Sequence, residues 1–418
     1  MGSHTRNFAG EPKTDCGLQY AVKKGGAAVA YCALSIRCGT RDEKGFPNGI
    51  AHFTEHTVFK GTLRKSAATI NGYLDRLGGE LNAYTTKEEI VFHATVLKED
   101  LPKAAALLLE LATDASFPEE EIRTEQGVVI DEIKSYKDSP SDDVYDRFEE
   151  ALFAGHPLSS PILGTERSVK KITSKDLLAF VQDRFVPWKM ALTVVAPLEE
   201  KKMEKTVRRL VEKAFNNQTY EFTVRTTDYF SPLPQRFDKT VEKHNHEVNA
   251  VLGCTAPSLY EEKDRLTAIL LSNILGGPAS NSLLNSLLRE KHGWVYGVES
   301  SYTQYADTGI LAICFGCDRP NVDKCFRAIG QVLTRLTDKP LSERRLKAAK
   351  KQLLGQLAIS AENGETQCLA MGKSLLAFGT VTSEQANREK IEAITAAQLQ
   401  TMARDLFAKE NLSRLVFL

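Results

Sequence analysis

The sequence predicts an α+β fold made of two homologous domains, each a mixed, mostly antiparallel sheet covered by helices. Three observations lead to this prediction. The chain has 418 residues, which is too many for one ordinary hydrophobic core and suits two domains. Apolar, β-branched runs typical of strands occur between amphipathic runs typical of helices. The same order of elements also occurs twice along the chain.

The internal repeat is clearest in the helices. One long helical pattern follows Pro118 and another follows Pro340, at matching positions of the two halves. Further along, Thr173 and Thr395 each stand where a helix N-cap is expected, and the offset between them is nearly the same. Strand-like runs cover residues 28–36, 90–96 and 248–253. Strands mixed with helices in two similar halves favour two α+β domains.

A polar stretch with Pro232 and Pro234 and no sustained period is the predicted boundary. We therefore expect an N-terminal catalytic domain at residues 1–217, a linker at 218–237 and a C-terminal domain at 238–418. The eight cysteines lie mostly in apolar runs without the spacing of a disulfide framework, which predicts reduced core thiols. Cys314 and Cys317 form a C-x-x-C, but in a predicted strand rather than at the start of a helix, which argues against a redox motif.

Composition argues against several classes of partner. Lys plus Arg and Asp plus Glu both total 54, so the net charge is zero and favours neither nucleic acid nor an anionic membrane. No run reaches the ~18 to 20 apolar residues of a membrane span. Residues 1–4 are typical of a remnant of recombinant expression. We expect a bacterial cytoplasmic protein, and a periplasmic or organellar location stays open.

The sharpest motif is the H-x-x-E-H formed by His52, Glu55 and His56. On a helix, the two histidines lie one turn apart on the same face, so both imidazoles can reach one ion. A catalytic zinc needs three protein ligands and one open position, so a third ligand must come from elsewhere. Taken alone, the motif fits a solvent-exposed helix equally well.

Two glutamates on the helix after Pro118 are candidates for the third ligand. Glu125 and Glu132 share an apolar face, where a carboxylate is costly unless it is paired or bound to a metal. The repeat provides an internal control, because Ala349 and Gln356 stand opposite these two positions. A purely structural role would be needed in both halves, so the carboxylates favour chemistry in the first half.

Nearly the whole chain resembles the pitrilysin-type inverted zincins, the family of the mitochondrial processing peptidase and insulin-degrading enzyme. The spacing from His56 to Glu132 matches the family's interval between its second histidine and its third ligand. Residues 39–43 and 59–62, on either side of the motif, agree with the family as well. The resemblance implies that His52, His56 and Glu132 hold one Zn²⁺ per chain.

The resemblance also implies the roles of the remaining site residues. Glu55 would activate a zinc-bound water as general base, and Glu125 would orient a ligand. Asn82 and Ala83 lie in a segment similar to the family's substrate-binding edge strand. Arg289 and Tyr296 resemble the pair that holds the substrate carbonyl and stabilises the oxyanion.

The implied function is a zinc-dependent endopeptidase that hydrolyses unfolded peptides or presequences inside a closed chamber. Four such domains close the chamber in this family, so a chain with two implies a homodimer, or a pair with a related chain. Thr54 and Thr57 depart from the family's usual Leu and Met around the histidines. A non-catalytic peptide-binding or scaffold subunit of the same fold is the alternative.

Overall fold

The computed structural model describes residues 14–215, 236–243 and 246–418, which form two compact units. Unit 1 contains described residues 14–133, 160–215 and 359–382, and unit 2 contains described residues 134–159, 236–243, 246–358 and 383–418. The predicted linker at 218–237 lies outside the described residues except for its last two positions. The division of the chain at 217 and 238 therefore stays a prediction.

Within the described residues, the first half of the chain forms five strands and eight α-helices. The strands are β1 (Gln19–Lys24), β2 (Val29–Ile36), β3 (Glu80–Thr85), β4 (Ile90–Leu97) and β5 (Met190–Ala196). The helices are α1 (Ile50–Thr57), α2 (Ala67–Asp75), α3 (Leu101–Thr113), α4 (Glu119–Lys137), α5 (Pro140–Leu152), α6 (Glu166–Val169), α7 (Ser174–Arg184) and α8 (Glu200–Phe215).

The described part of the second half continues the same series. Its strands are β6 (Asp238–Val241), β7 (Val248–Ala256), β8 (Val295–Gln304), β9 (Gly309–Cys317) and β10 (Ser413–Phe417). Its α-helices are α9 (Glu262–Gly276), α10 (Val322–Asp338), α11 (Glu343–Ala361), α12 (Gly364–Phe378), α13 (Glu384–Glu392) and α14 (Ala396–Phe407). A π-helical segment covers Asn285–Lys291.

The described residues of each unit form one five-stranded sheet, with the same strand arrangement in both. The orders are β1-β5-β2-β4-β3 in unit 1 and β6-β10-β7-β9-β8 in unit 2. The outermost pair, β1 with β5 or β6 with β10, is parallel, and the other neighbours are antiparallel. The prediction of two homologous α+β domains with mixed, mostly antiparallel sheets is confirmed.

The helices repeat with the offsets expected from the sequence. Helices α4 and α11 both have 19 residues, and their starts at Glu119 and Glu343 occupy matching positions of the repeat. The predicted N-caps at Thr173 and Thr395 are also present, since each hydroxyl oxygen accepts a backbone N–H three residues later, at 3.3 and 3.2 Å. Local sequence signals therefore fix these helix starts in both halves.

Two helices at equivalent repeat positions are exchanged between the units. Helix α5 comes from the first half but belongs to unit 2, where Val144 and Phe148 pack against β7 and β10. Helix α12 holds the position of α5 in the second half but belongs to unit 1, where Cys368 and Leu375 pack against β1, β2 and β5. Each compact unit therefore differs from a contiguous half of the chain by one exchanged helical segment.

The cysteines agree with the prediction of reduced core thiols. All eight are free, and most of them are buried. Cys314 and Cys317 lie in β9, as expected, and not at the start of a helix. Among the described residues, no helix has the length and apolar character needed to span a bilayer.

Candidate metal centre

Helix α1 carries the H-x-x-E-H motif, so the motif is helical as the metal hypothesis requires. The rings of His52 and His56 lie on one face with their centroids 4.6 Å apart. Thr54 and Thr57 are buried, and each hydroxyl donates to the backbone carbonyl four residues earlier, at 2.7 and 2.6 Å. These two departures from the family pattern are therefore satisfied within the helix itself.

Helix α4 brings its two glutamates to the same place, and its packing explains how. Ile122, Val129 and Ile133 form a buried stripe on α4 that also contains Glu125. Glu132 Oε2 lies 3.4 Å from His56 Nε2 and 3.7 Å from His52 Nε2. One ligand atom from each of His52, His56 and Glu132 falls within 4.8 Å of the others. The structure thus brings the three sequence-predicted ligands together.

The geometry and donor types of this cluster fit a zinc ion. Zinc–ligand bonds of about 2.0–2.2 Å at tetrahedral angles place the ligand atoms roughly 3.3–3.6 Å apart. The two His–Glu132 distances lie close to that interval. Glu132 Oε2 is also buried without a well-directed hydrogen bond from the described residues. A buried, unsatisfied carboxylate oxygen between two imidazoles is what a cation would stabilise.

His56 has a hydrogen-bond partner that fixes its ring. Glu125 Oε2 lies 3.1 Å from His56 Nδ1, and the other Glu125 oxygen forms an ion pair with Lys60. Burial opposes charge on both groups, but their oppositely charged neighbours outweigh it. Contacts with Glu125 and Glu132 raise the pKa of His56 to about 9, and contacts with His56 and Lys60 lower the pKa of Glu125. Glu125 therefore orients His56 through Nδ1 and leaves Nε2 directed at Glu132.

His52 has no corresponding support. Its Nδ1 is buried and has no hydrogen-bond partner among the described residues. Burial, together with the neighbouring His56, lowers the pKa of His52 to about 4. The ring is therefore neutral at pH 7, which is the form that binds a metal, whereas a metal would have to displace the proton that His56 carries at this pH.

Glu55 lies on α1 beside the two histidines and is held by the neighbouring strand. Thr85 at the end of β3 donates its hydroxyl to Glu55 Oε2 at 2.7 Å. Burial raises the pKa of Glu55, although the hydrogen bond from Thr85 and the proximity of His56 oppose the shift. A carboxylate with a raised pKa and a fixed orientation is suited to accept a proton near neutral pH.

The equivalent region of the second half lacks this chemistry. Gln356 on α11 stands opposite Glu132, and its side-chain oxygen accepts a hydrogen bond from Asn273 on α9 at 2.8 Å. A neutral amide pair therefore joins the two helices in unit 2. Within the described residues, a cluster that could hold a metal ion is found in the first half, where Glu132 is present, and not at the equivalent place in the second half.

The remaining predicted site residues lie on two other elements. Asn82 and Ala83 are on β3, an edge strand of the sheet of unit 1, with Asn82 exposed. Arg289 and Tyr296 belong to unit 2, in the π-helical segment and in β8. Arg289 is exposed, and Tyr296 is 61% exposed with its hydroxyl donating to Asp318 at 2.7 Å. Their functional roles stay predictions.

Sequence reasoning missed two residues of the site, Lys60 and Thr85. Lys60 follows the motif by one helical turn, so its position alone could have suggested a partner for Glu125. Thr85 lies 30 residues from Glu55 in the sequence. No short-range sequence pattern predicts the contact between Thr85 and Glu55, because it depends on how α1 packs against β3.

Comparison with known proteins agrees with this architecture. Residues 20–166 match the family described as Insulinase (Peptidase family M16), and residues 171–353 match the Peptidase M16 inactive domain. An uncharacterized zinc protease of Bacillus subtilis is 30% identical over 375 residues, which cover 90% of each chain. This chain belongs to the insulinase family, peptidase family M16.

Further M16-type similarities extend over most of the chain. An uncharacterized zinc protease of Mycobacterium tuberculosis is 30% identical over 385 residues, covering 91% of this chain and 86% of the relative. The crystal structure of a protease from Helicobacter pylori superposes with a TM-score of 0.88 at 20% identity and covers 97% of this chain and 98% of that one. The resemblance to the two-domain pitrilysin-type family is thus confirmed, and the H. pylori structure supports the fold.

Proposed function

We propose that this M16 family member is a zinc-dependent endopeptidase that hydrolyses unfolded peptides or presequences. The observation that carries the proposal is the cluster of His52, His56 and Glu132, with Glu55 on the same helix as the histidines. Two imidazoles and one carboxylate form a common ligand set of catalytic zinc. The zinc protease relatives support the same interpretation.

Each residue of the proposed site has its own role in peptide hydrolysis. A bound zinc would supply a Lewis acid that polarises the scissile carbonyl and makes water easier to deprotonate. Glu55 takes the proton from the attacking water and passes it to the leaving amine. Thr85 keeps the Glu55 carboxylate in one orientation through its hydrogen bond of 2.7 Å. Glu125 holds the ring of His56, and its own charge is balanced by Lys60.

Strand β3 is the proposed binding surface for substrate. It pairs on one side with β4 and ends the sheet on its other side within the described residues. An extended peptide can add to such an edge through main-chain hydrogen bonds, which demand little of its sequence. Asn82 and Ala83 lie in the middle of this strand, and Thr85 at its end contacts the catalytic Glu55. A bound peptide would therefore run alongside the metal centre.

Cleavage of a quenched fluorescent peptide library tests this proposal. Zinc-loaded protein is expected to cleave, chelator-stripped protein to lose cleavage, and re-addition of zinc to restore it. Zinc content is measured on the same samples, because the ligand cluster predicts one ion per chain. Zinc binding without cleavage of any peptide would instead identify a non-catalytic, peptide-binding subunit.

We further propose that two copies of the chain form a closed chamber in which Arg289 and Tyr296 of each copy complete the site of the other. Both residues are exposed on unit 2 and offer a guanidinium and a phenol for a developing oxyanion. Two inactive variants, Glu55→Gln and Arg289→Ala/Tyr296→Phe, should then regain activity when mixed. Statistical exchange of subunits predicts up to about a quarter of wild-type activity, because half of the dimers would contain one intact site.

A matched pair controls the mixing experiment. Glu55→Gln mixed with Glu132→Gln should stay inactive, because both changes affect the same half of the site. Residues that act within their own chain would give no recovery in either mixture, and that outcome would contradict the shared site. Size-exclusion chromatography with light scattering checks that each variant still forms a dimer.

A further inference from the structure

The first turn of α1 needs a cap that its own N-cap residue cannot supply. Gly49 has no side chain and adopts a φ of +88°. A Cβ at this position would lie 2.8 Å from both Gly164 Cα and the carbonyl oxygen of Leu163, so a capping side chain does not fit. The first N–H groups of a helix have no intrahelical partners and must find acceptors elsewhere.

Glu43 provides those acceptors from upstream in the chain. Its Oε2 accepts the N–H of Gly49 and its Oε1 accepts the N–H of Ala51, both at 2.9 Å. The side-chain amide of Asn48 also donates to Oε2, at 3.3 Å. Glu43 is only 6% exposed, and burial raises its pKa to about 8, although the hydrogen bonds from Ala51 and Gly49 oppose the shift. The two backbone hydrogen bonds show that the Glu43 side chain caps α1 from outside the helix.

The loop that carries Glu43 is itself anchored to the sheet of unit 1. The N–H of Thr40 donates to the carbonyl of Thr86 at 3.3 Å, and the N–H of Arg41 donates to the carbonyl of Lys87 at 3.0 Å. These partners form the turn between β3 and β4. Glu43 thus ties the start of α1 to a fixed part of the fold and not to a loose loop.

This cap acts at the residue next to His52. Helix α1 has only eight residues, and Ala51, whose N–H Glu43 accepts, immediately precedes His52. His56 is oriented by Glu125 through Nδ1, whereas Nδ1 of His52 has no partner among the described residues. Metal-binding histidines are normally oriented by a bond to the second ring nitrogen. The hydrogen bond from Ala51 to Glu43 holds the backbone directly before His52 and so helps to place its ring.

We infer that Glu43 is a positioning residue of the metal centre, which holds His52 at coordination distance by capping the first turn of α1. This inference rests on the proposed zinc site. Glu43→Ala removes both acceptors. It is expected to weaken zinc binding by about 10- to 100-fold, which is typical when a residue that positions a metal ligand is lost. Glu43→Gln keeps one acceptor oxygen and should fall between Glu43→Ala and wild type.

Zinc affinity measured by competition with a chromophoric chelator tests the inference independently of activity. Hydrogen exchange of a peptide covering residues 47–55 should also be faster in Glu43→Ala than in wild type. Asp42→Asn is the matched control. Its carboxylate caps the same loop by accepting the N–H of Gly39 at 3.1 Å, whereas the hydrogen bonds to Gly49 and Ala51 come from Glu43. The zinc affinity of Asp42→Asn should equal that of wild type.

The outcomes separate this inference from the proposed function. Absence of zinc binding in wild type would remove the zinc site itself. Wild-type zinc affinity in a Glu43→Ala protein that unfolds cooperatively would overturn the positioning role alone. If Glu43→Ala does not fold, Glu43→Gln decides the matter, and an unchanged zinc affinity in that variant would overturn the role as well.

Discussion

Replacing Glu55 by glutamine is expected to reduce peptide hydrolysis by about 10²- to 10⁴-fold, the contribution typical of a general base. Zinc content should stay at the wild-type level, because the proposed ligands His52, His56 and Glu132 are unchanged. The amide can still accept the hydrogen bond from Thr85, so the side chain should keep its orientation while losing its basicity. Initial rates on the best peptide of the library, together with zinc content, provide the measurement.

An exposed glutamate provides the control for this substitution. Glu120 lies in the first turn of α4 and is exposed, so Glu120→Gln changes the same charge away from the cluster. That variant should hydrolyse the peptide at the wild-type rate. A zinc-loaded Glu55→Gln protein that retained full activity would exclude Glu55 as the base. Loss of zinc together with activity would show instead that the substitution disturbs the ligands.

Much of the fold could be predicted from the sequence, because the same signals for helices and strands occur in both halves of the chain. The two long helices and the capped helices that begin after Thr173 and Thr395 have strong local signals, and these signals are satisfied within a few residues. Hydrophobic patterns also identify which face of each element is buried. Two domains with similar sheets follow from those local facts.

The exchange of α5 and α12 could not be predicted in the same way. The two helices, which start at Pro140 and Gly364, occupy the same position in the repeat. Each has an apolar face that needs a sheet, and the two sheets have the same strand arrangement. The pattern of a helix reports which face it buries and not which of two similar sheets it covers. That choice is made by long-range packing.

The residues of the candidate site also differ in whether the sequence alone identifies them. The proposed ligands His52, His56 and Glu132 could be selected from the sequence because of the H-x-x-E-H motif, the spacing to Glu132 and the absence of Glu132 from the second half. The residue that caps α1 could not be selected, since a sequence rule for capping looks at the N-cap itself and finds Gly49 there. Glu43 acts from six to eight positions upstream, through a loop whose path only the tertiary structure shows. Supporting contacts of this kind carry no sequence period.

Losing a residue that supports a metal ligand typically weakens metal binding by about 10- to 100-fold. Replacing the proposed ligand Glu132 by glutamine is expected to weaken zinc binding by more than that. The substitution reproduces in the first half the residue that the second half carries as Gln356. There the side chain is satisfied by a neutral amide, Asn273, and not by a cation. Hydrolysis should fall with the zinc content at any fixed zinc concentration.

Thermal unfolding with and without added zinc separates the loss of a ligand from general damage. At a zinc concentration about 100 times its dissociation constant, the wild-type protein should gain about 2.7 kcal/mol of stability, and Glu132→Gln should gain far less at the same concentration. Glu125→Gln, which keeps all three proposed ligands but loses the charged contacts with His56 and Lys60, should fall between them. Gln356→Glu should bind no additional zinc, since the side chain that faces it from α9 is an amide and not an imidazole. A Glu132→Gln protein with the wild-type zinc affinity would remove Glu132 from the ligand set, because a third ligand would then have to come from another residue.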